Sequence, residues 1–290
     1  MSAARILVID GNVAEVRARQ IAALGYDSGG GYARVLRDIE PGLQIDIVSG
    51  ADAEPGFPPG AGLANYDGVT MTGSALNIYH GGAAVARQIE LAKAIFAAGV
   101  PFFGSCWGLQ VAVTAAGGSV RANPQGREFG FARRITLSEA GRSHPLYAGK
   151  PEVFEAPAIH RDEIAALPVG AQILASNEFG VQAICFKHER GSFWGVQYHP
   201  EYDYLDLAAA AERYGATLID ERMFRDEHAR DAFVADLRAL QSDPADAPLL
   251  WKHGLGPAMK HASLRRLELR NWLHMQLRAC DEARLQGTDY

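Results

Sequence analysis

Residues 100–113 read VPFFGSCWGLQVAV. An apolar run stops at Gly104-Ser105, a cysteine follows, and a second apolar run begins after Trp107-Gly108. The first run has the length of a buried strand and the second extends far enough to be a helix. Together they predict a sharp strand-to-helix turn with Cys106 on it. Free cysteine is among the most buried residue types, so packing alone accounts for many such residues. The small neighbours suggest a second reading. A tight turn above an α/β sheet exposes a nucleophile, and the N-terminus of the following helix favours a thiolate and any oxyanion formed beside it.

The flanking sequence supports an α/β fold. RILVID is a strand ending at Asp10-Gly11; LQIDIVSG and YDGVTMTGS are two more. GYARVLRDI has Tyr32, Val35, Leu36 and Ile39 at helical spacing, and VARQIELAKAIFAAG is an amphipathic helix that stops at Gly99. This alternation, up to about residue 120, predicts a mostly parallel central sheet with helices on both faces. From there to residue 204 short strand candidates dominate: FARRITLSEAG, EVFEAPAIHRDEI, AQILASN, VQAICFKHE and SFWGVQYHPEY. They predict antiparallel strands added to the parallel core. Beyond Tyr204 the chain is helical, with stripes at Phe233, Leu237 and Leu240 and at Leu269, Leu273 and Leu277, separated by SDPADAPLLWKHGLGP. The expected organisation is a catalytic domain over residues 1–204 and a helical C-terminal extension over residues 205–290. The stripes suit an annex on the core or a homodimer surface.

Composition excludes several classes. A formal net charge of -6 gives no basic face for nucleic acid. No run of roughly 18 apolar residues is present to span a membrane, and MSAARILVIDGN leads almost directly into a strand without a secretory h-region. The three cysteines, Cys106, Cys185 and Cys280, are odd in number and far apart, which points to a reducing, cytoplasmic setting. No C-x-x-C or H-E-x-x-H occurs, so no metal is expected, and no P-loop or other nucleotide loop implies a cofactor. Cys185 lies in an apolar run and reads as core; Cys280 has no base within sequence reach.

A thiol nucleophile needs a base, and the base an orienter. GVQYHPEYDY offers His199 and Glu201, with Pro200 holding the backbone extended so that both side chains leave the strand end in one direction. Tyr198 and Tyr202 flank this triplet and are candidate pocket walls. Gln110 follows Cys106 by one helical turn and can share the mouth of the site.

FFGSCWGLQ and the later GVQYHPE together resemble the class I glutamine amidotransferases, and more narrowly the stand-alone proteins related to the glutaminase half of GMP synthase. The family patterns G-x-C-x-G-x-Q and Q-x-H-P-E both stand here, the first over residues 104–110 and the second over residues 197–201. NPQGREFG, the segment from SHPLYAG to AQILA, and VQAICF are further family-like pieces in the right order. The resemblance covers roughly the first 204 residues and implies a flavodoxin-like fold and a Cys106–His199–Glu201 triad. The implied reaction is hydrolysis of the γ-amide of glutamine through a γ-glutamyl thioester, with ammonia passed to a separate acceptor enzyme. A free-standing hydrolase of γ-glutamyl amines or peptides would use the same acyl chemistry; a non-catalytic binding module has no need of three matched parts. The resemblance also implies the Trp107 backbone N–H as an oxyanion donor, Gln110 as a substrate contact, and His160 at the substrate entrance. The sequence departs from the family at the second donor. Thr72-Gly73-Ser74-Ala75 stands where the family has S-G-G-P, so Gly73 and Ser74 are the candidates, without the proline and with a Cβ at Ser74.

Overall fold

The structure, a computed structural model, describes residues 4–275; Leu277 and Cys280 lie outside them. The first strand, β1 (Arg5–Asp10), has two buried faces: Ile6 and Val8 join one core, Leu7 and Ile9 the other. That division follows from the two-residue period of a strand covered on both sides. After α1 (Ala14–Leu24) and α2 (Ser28–Ile39), β2 (Gln44–Ser49) and β3 (Gly68–Met71) pair in parallel on either side of β1. Then come α3 (Ala83–Ala98), β4 (Phe102–Ser105) and α4 (Trp107–Ala115). The next elements are β5 (Ser119–Ala122), β6 (Glu128–Leu137), α5 (Glu139–Ser143), β7 (Val153–His160) and β8 (Asp162–Ala166). β9 (Gln172–Asn177), β10 (Gly180–His188) and β11 (Gly191–Val196) complete the strands.

Nine strands form one sheet in the order β2-β1-β3-β4-β11-β10-β9-β6-β7, while β5 and β8 pair separately. The five strands from β2 to β11 are parallel and the rest antiparallel. This is the mixed α/β sheet that the strand pattern predicts. Some helices escape the sequence reading. α5 begins inside FARRITLSEAG, which reads as a strand. AEVRARQIAAL forms α1 although Gln20 is its sole buried residue, so it has almost no apolar stripe to reveal it.

The C-terminal helices are α6 (Tyr204–Arg213), α7 (Gly215–Asp220), α8 (Glu227–Ser242), α9 (Ala247–Lys252), α10 (Pro257–Lys260) and α11 (Ala262–Arg265), followed by a helical run over residues 267–275. Helix α9 lies inside the segment expected only to break the two stripes. Leu237 and Leu240 of α8 pack with Leu207 of α6 and Phe131 of β6. Leu269, Trp272 and Leu273 enter the same apolar cluster as Ile6, Val8 and Phe103. The Trp272 ring lies 2.9 Å from where a Cβ on Gly68 would stand, so the start of β3 must be glycine.

A buried polar cluster ties this last run to the sheet. Lys150 and Glu268 form an ion pair at 2.8 Å, with both side chains at most 1% exposed. Tyr198 donates to Glu268 at 2.6 Å and lies 2.8 Å from the Tyr147 hydroxyl. Burial pushes the Lys150 pKa down, and the Glu268 charge opposes that. Removing one member of such a pair leaves an uncompensated charge, which costs about 3–5 kcal/mol. Lys150→Met is therefore expected to lower unfolding stability by about that amount in urea titrations, and adding Glu268→Leu to recover a large part of it.

Candidate active site

β4 and β11 are parallel neighbours with Ser105 beside Val196, so the chain leaves both strands at the same edge of the sheet. Ligand sites in open α/β sheets gather at that carboxyl edge. The strand-to-helix turn places Cys106 there, at φ 50° and ψ −100°. A non-glycine residue at positive φ is strained, and the packing around it must hold it. Two glycines make the turn fit. A Cβ on Gly104 would stand 2.4 Å from the Gly108 carbonyl carbon, and one on Gly108 would stand 2.4 Å from the Met71 carbonyl oxygen. The Cys106 N–H donates to Val196 O at 2.8 Å, which fastens the turn to β11.

Three residues beyond β11, His199 is 2% exposed and donates from Nδ1 to Glu201 Oε1 at 2.7 Å. Tyr202 stacks on its ring, with centroids 4.1 Å apart and planes 14° from parallel. On the Gly73 side the contact is as close, since a Cβ there would stand 2.5 Å from His199 Cε1. The other ring nitrogen, Nε2, is buried without a hydrogen-bond partner among the described residues. Burial by itself lowers the His199 pKa. The Glu201 charge and the Cys106 side chain outweigh it and raise the value from the ordinary 6.5 to about 10. The imidazole is thus poised to hold a proton beside the sulfur.

The Gly73–Ala75 loop forms the facing wall. Asn12, at the end of β1, spans it: its Nδ2 donates to Gly73 O at 3.3 Å, and its Oδ1 accepts from Ala75 N at 3.0 Å. Ser74 Oγ accepts from Leu76 N at 3.2 Å. Outside glycine, positive φ occurs among the described residues at Cys106, Arg134, Glu189 and Arg222, so Ser74 carries its Cβ on ordinary backbone. Among those residues no acceptor takes the Ser74 or Trp107 N–H. Ser74 borders a cleft of ≈ 300 Å³ that also holds Cys106 and His199, and Trp107 follows Cys106 as the first residue of α4. Free backbone N–H groups aimed at a developing negative charge are what an oxyanion hole requires.

Three expected substrate contacts lie elsewhere. Tyr198 is fully buried on the far side of its strand segment, bonded to Tyr147 and Glu268, because neighbouring residues of an extended chain point to opposite faces. His160 is 3% exposed, with its Nε2 on Glu128 at 2.8 Å and its Nδ1 on Asp162 O at 3.1 Å; both nitrogens are engaged inside the protein. Gln110 is 3% exposed and reaches Gln197 at 3.4 Å, and its side chain is not among those lining the cleft. The sequence reading missed Asn12, Gln20 and Arg213, which do line it. Asn12 was within reach of the rule that ligands gather at the carboxyl ends of parallel strands. Arg213 had no sequence signal. Among the described residues no group of three or more His, Cys, Asp and Glu could hold a metal, and no helix is long and apolar enough to cross a membrane.

A strained cysteine turn at the carboxyl edge of a parallel sheet, facing a buried His–Glu pair, defines a cysteine-triad α/β architecture. The chain belongs to the class I glutamine amidotransferases: the model of that family matches residues 41–206. A γ-glutamyl-L-1-hydroxyisopropylamide hydrolase from a Pseudomonas species is 34% identical over 282 residues, 94% of this chain and 93% of that protein. The glutamine-hydrolysing GMP synthase of Streptomyces avermitilis is 34% identical over 178 residues, which are 60% of this chain and 31% of the synthase. In fold, the chain is similar to a glutamine amidotransferase from Thermotoga maritima, with a TM-score of 0.62 and 18% identity, over 96% of this chain and 99% of that one.

Two measurements probe the His199 environment. Its proton is held more tightly in the folded protein, at about 10, than at the ordinary value of 6.5. The stability this adds is complete below about pH 6.5 and is lost as the pH rises toward 10. The denaturation midpoint should fall across that window, and much less in Glu201→Gln. Gly73→Ala puts a methyl into the imidazole and should displace it from Glu201. NMR titration of the His199 ring is expected to show its pKa falling from about 10 toward 6.5.

Proposed function

We propose that the protein is a cysteine-dependent hydrolase of the γ-glutamyl amide bond. The observation that carries this is the buried His199–Glu201 pair at 2.7 Å in the cleft that holds Cys106 on its strained turn. The Cys106 sulfur attacks the amide carbonyl carbon, and the Trp107 and Ser74 N–H groups stabilise the oxyanion. His199 gives its proton to the departing amine as the C–N bond breaks, leaving a γ-glutamyl thioester. Water then loses a proton to His199 and attacks the thioester. The sulfur leaves, and glutamate is released. Glu201 holds the imidazole in register and stabilises its charged form.

The amine released is small, either ammonia from glutamine or a short alkylamine. Similarity along almost the whole chain to a hydrolase of a γ-glutamyl alkylamide supports the alkylamine. The GMP synthase similarity, limited to 60% of this chain, supports a second reading in which ammonia is passed to an acceptor enzyme. Free thiols at Cys106 and Cys185 suit a reducing compartment such as the cytoplasm.

Release of glutamate from glutamine and from γ-glutamyl alkylamides tests the reaction. Cys106→Ala should reduce turnover by about 10⁴-fold or more, and Glu201→Gln should lower kcat by about 10³–10⁴-fold. Turnover surviving Cys106→Ala, or none of any γ-glutamyl compound by the unaltered protein, rules the reading out. Faster turnover of an alkylamide than of glutamine favours the first amine.

A further inference from the structure

Arg213 is the last residue of α6, and the triad chemistry does not use it. It lines the cleft shared by Cys106 and His199, and also an adjoining recess, with Tyr202 bordering both. Its Nε is buried without a hydrogen-bond partner. Among the described residues its guanidinium makes no hydrogen bond or ion pair; it rests on the Tyr214 ring, 4.9 Å from the centroid. Other arginines of this region are paired: Arg127 with Glu221, Arg230 with Asp231 and Arg238 with Glu212. A basic residue in the last turn of a helix complements the helix dipole. That explains a charge at this position but not a guanidinium turned into the cleft with a buried, unmatched N–H, which is unfavourable until an acceptor meets it.

The planar guanidinium fork matches a carboxylate. A γ-glutamyl compound carries one at the end opposite its scissile amide, three carbons away from the carbonyl that Cys106 would attack. Cys106 and Arg213 line the same cleft, which places the nucleophile and the guanidinium around one bound molecule. We propose that Arg213 binds the α-carboxylate of the γ-glutamyl substrate, so that the C-terminal helices supply a specificity-determining contact. This rests on the γ-glutamyl reading of the reaction. α6 begins directly after the His-Pro-Glu segment, with Asp203 as its N-cap and a capping box to Asp206. The segment that aligns the base therefore also aims the anchor.

Calorimetry on Cys106→Ala protein separates binding from turnover. The ligands are L-glutamine and 4-aminobutanamide, which is glutamine without its carboxylate, and the same pair as N-ethylamides. We expect the carboxylate-bearing member of each pair to bind at least about tenfold more tightly. Arg213→Met on that background should weaken it about 10–100-fold and close the gap, with little change for the decarboxylated member. Arg213→Lys keeps the charge without the fork and should narrow the gap partway; it carries the test if Arg213→Met does not fold. A gap that persists in both variants, or no preference for the carboxylate in the parent, overturns the proposal. The reaction reading fails separately, through absence of turnover by the unaltered protein.

Discussion

The backbone of Cys106 is the constraint on which the rest of the site depends. At φ 50° it turns a strand into a helix within one residue, and this conformation is unfavourable for any side chain but glycine. It persists because Gly104 and Gly108 let the first turn of α4 close onto the ends of β3 and β4 without a Cβ between them. The hydrogen bond from Cys106 N–H to Val196 O then joins the turn to the strand that delivers His199. The position of the thiol and the approach of its base thus share one piece of backbone.

The segment after β11 works on two sides. His199 faces the cleft, paired with Glu201 and layered between Tyr202 and Gly73. Tyr198 faces away and bonds to Glu268 inside the buried cluster that also contains Lys150. Each face is expensive to rearrange because it holds a buried ion pair or hydrogen-bonded charge, His199 with Glu201 on one side and Tyr198 with Glu268 on the other. The base is consequently fixed from behind by the C-terminal helical run as well as in front by its own carboxylate.

Much of this was legible in the sequence. The elbow could be read from two glycines around a cysteine, and the parallel half of the sheet from strands alternating with helices. His199 and Glu201 could be read from a proline that keeps both on one side. Tyr198 adjoins His199 in sequence, but strand alternation puts the two on opposite faces and sends Tyr198 to Glu268. His160 matched a family position, but its pairing with Glu128 depends on the contact between β6 and β7, which no local pattern states. Helix α1 was invisible for want of an apolar stripe. Arg213 is an ordinary charged residue on an ordinary helix, and only the path of α6 over the cleft gives it a place. Trp272, likewise, shows a helical apolar position but not that it will abut Gly68 at the start of β3.

The buried cluster around Glu268 also bears on how the protein is made. Cys106 and its glycines leave the ribosome early, yet the partner that seals Tyr198 and Lys150 into the interior is synthesised more than a hundred residues later. Until Glu268 and Trp272 have emerged, the sheet face that they cover is open to water and the strand segment bearing His199 has no backing. A nascent chain carrying all three triad residues is therefore still an unfinished enzyme. The side of that segment opposite His199 is covered when synthesis has reached these last helices.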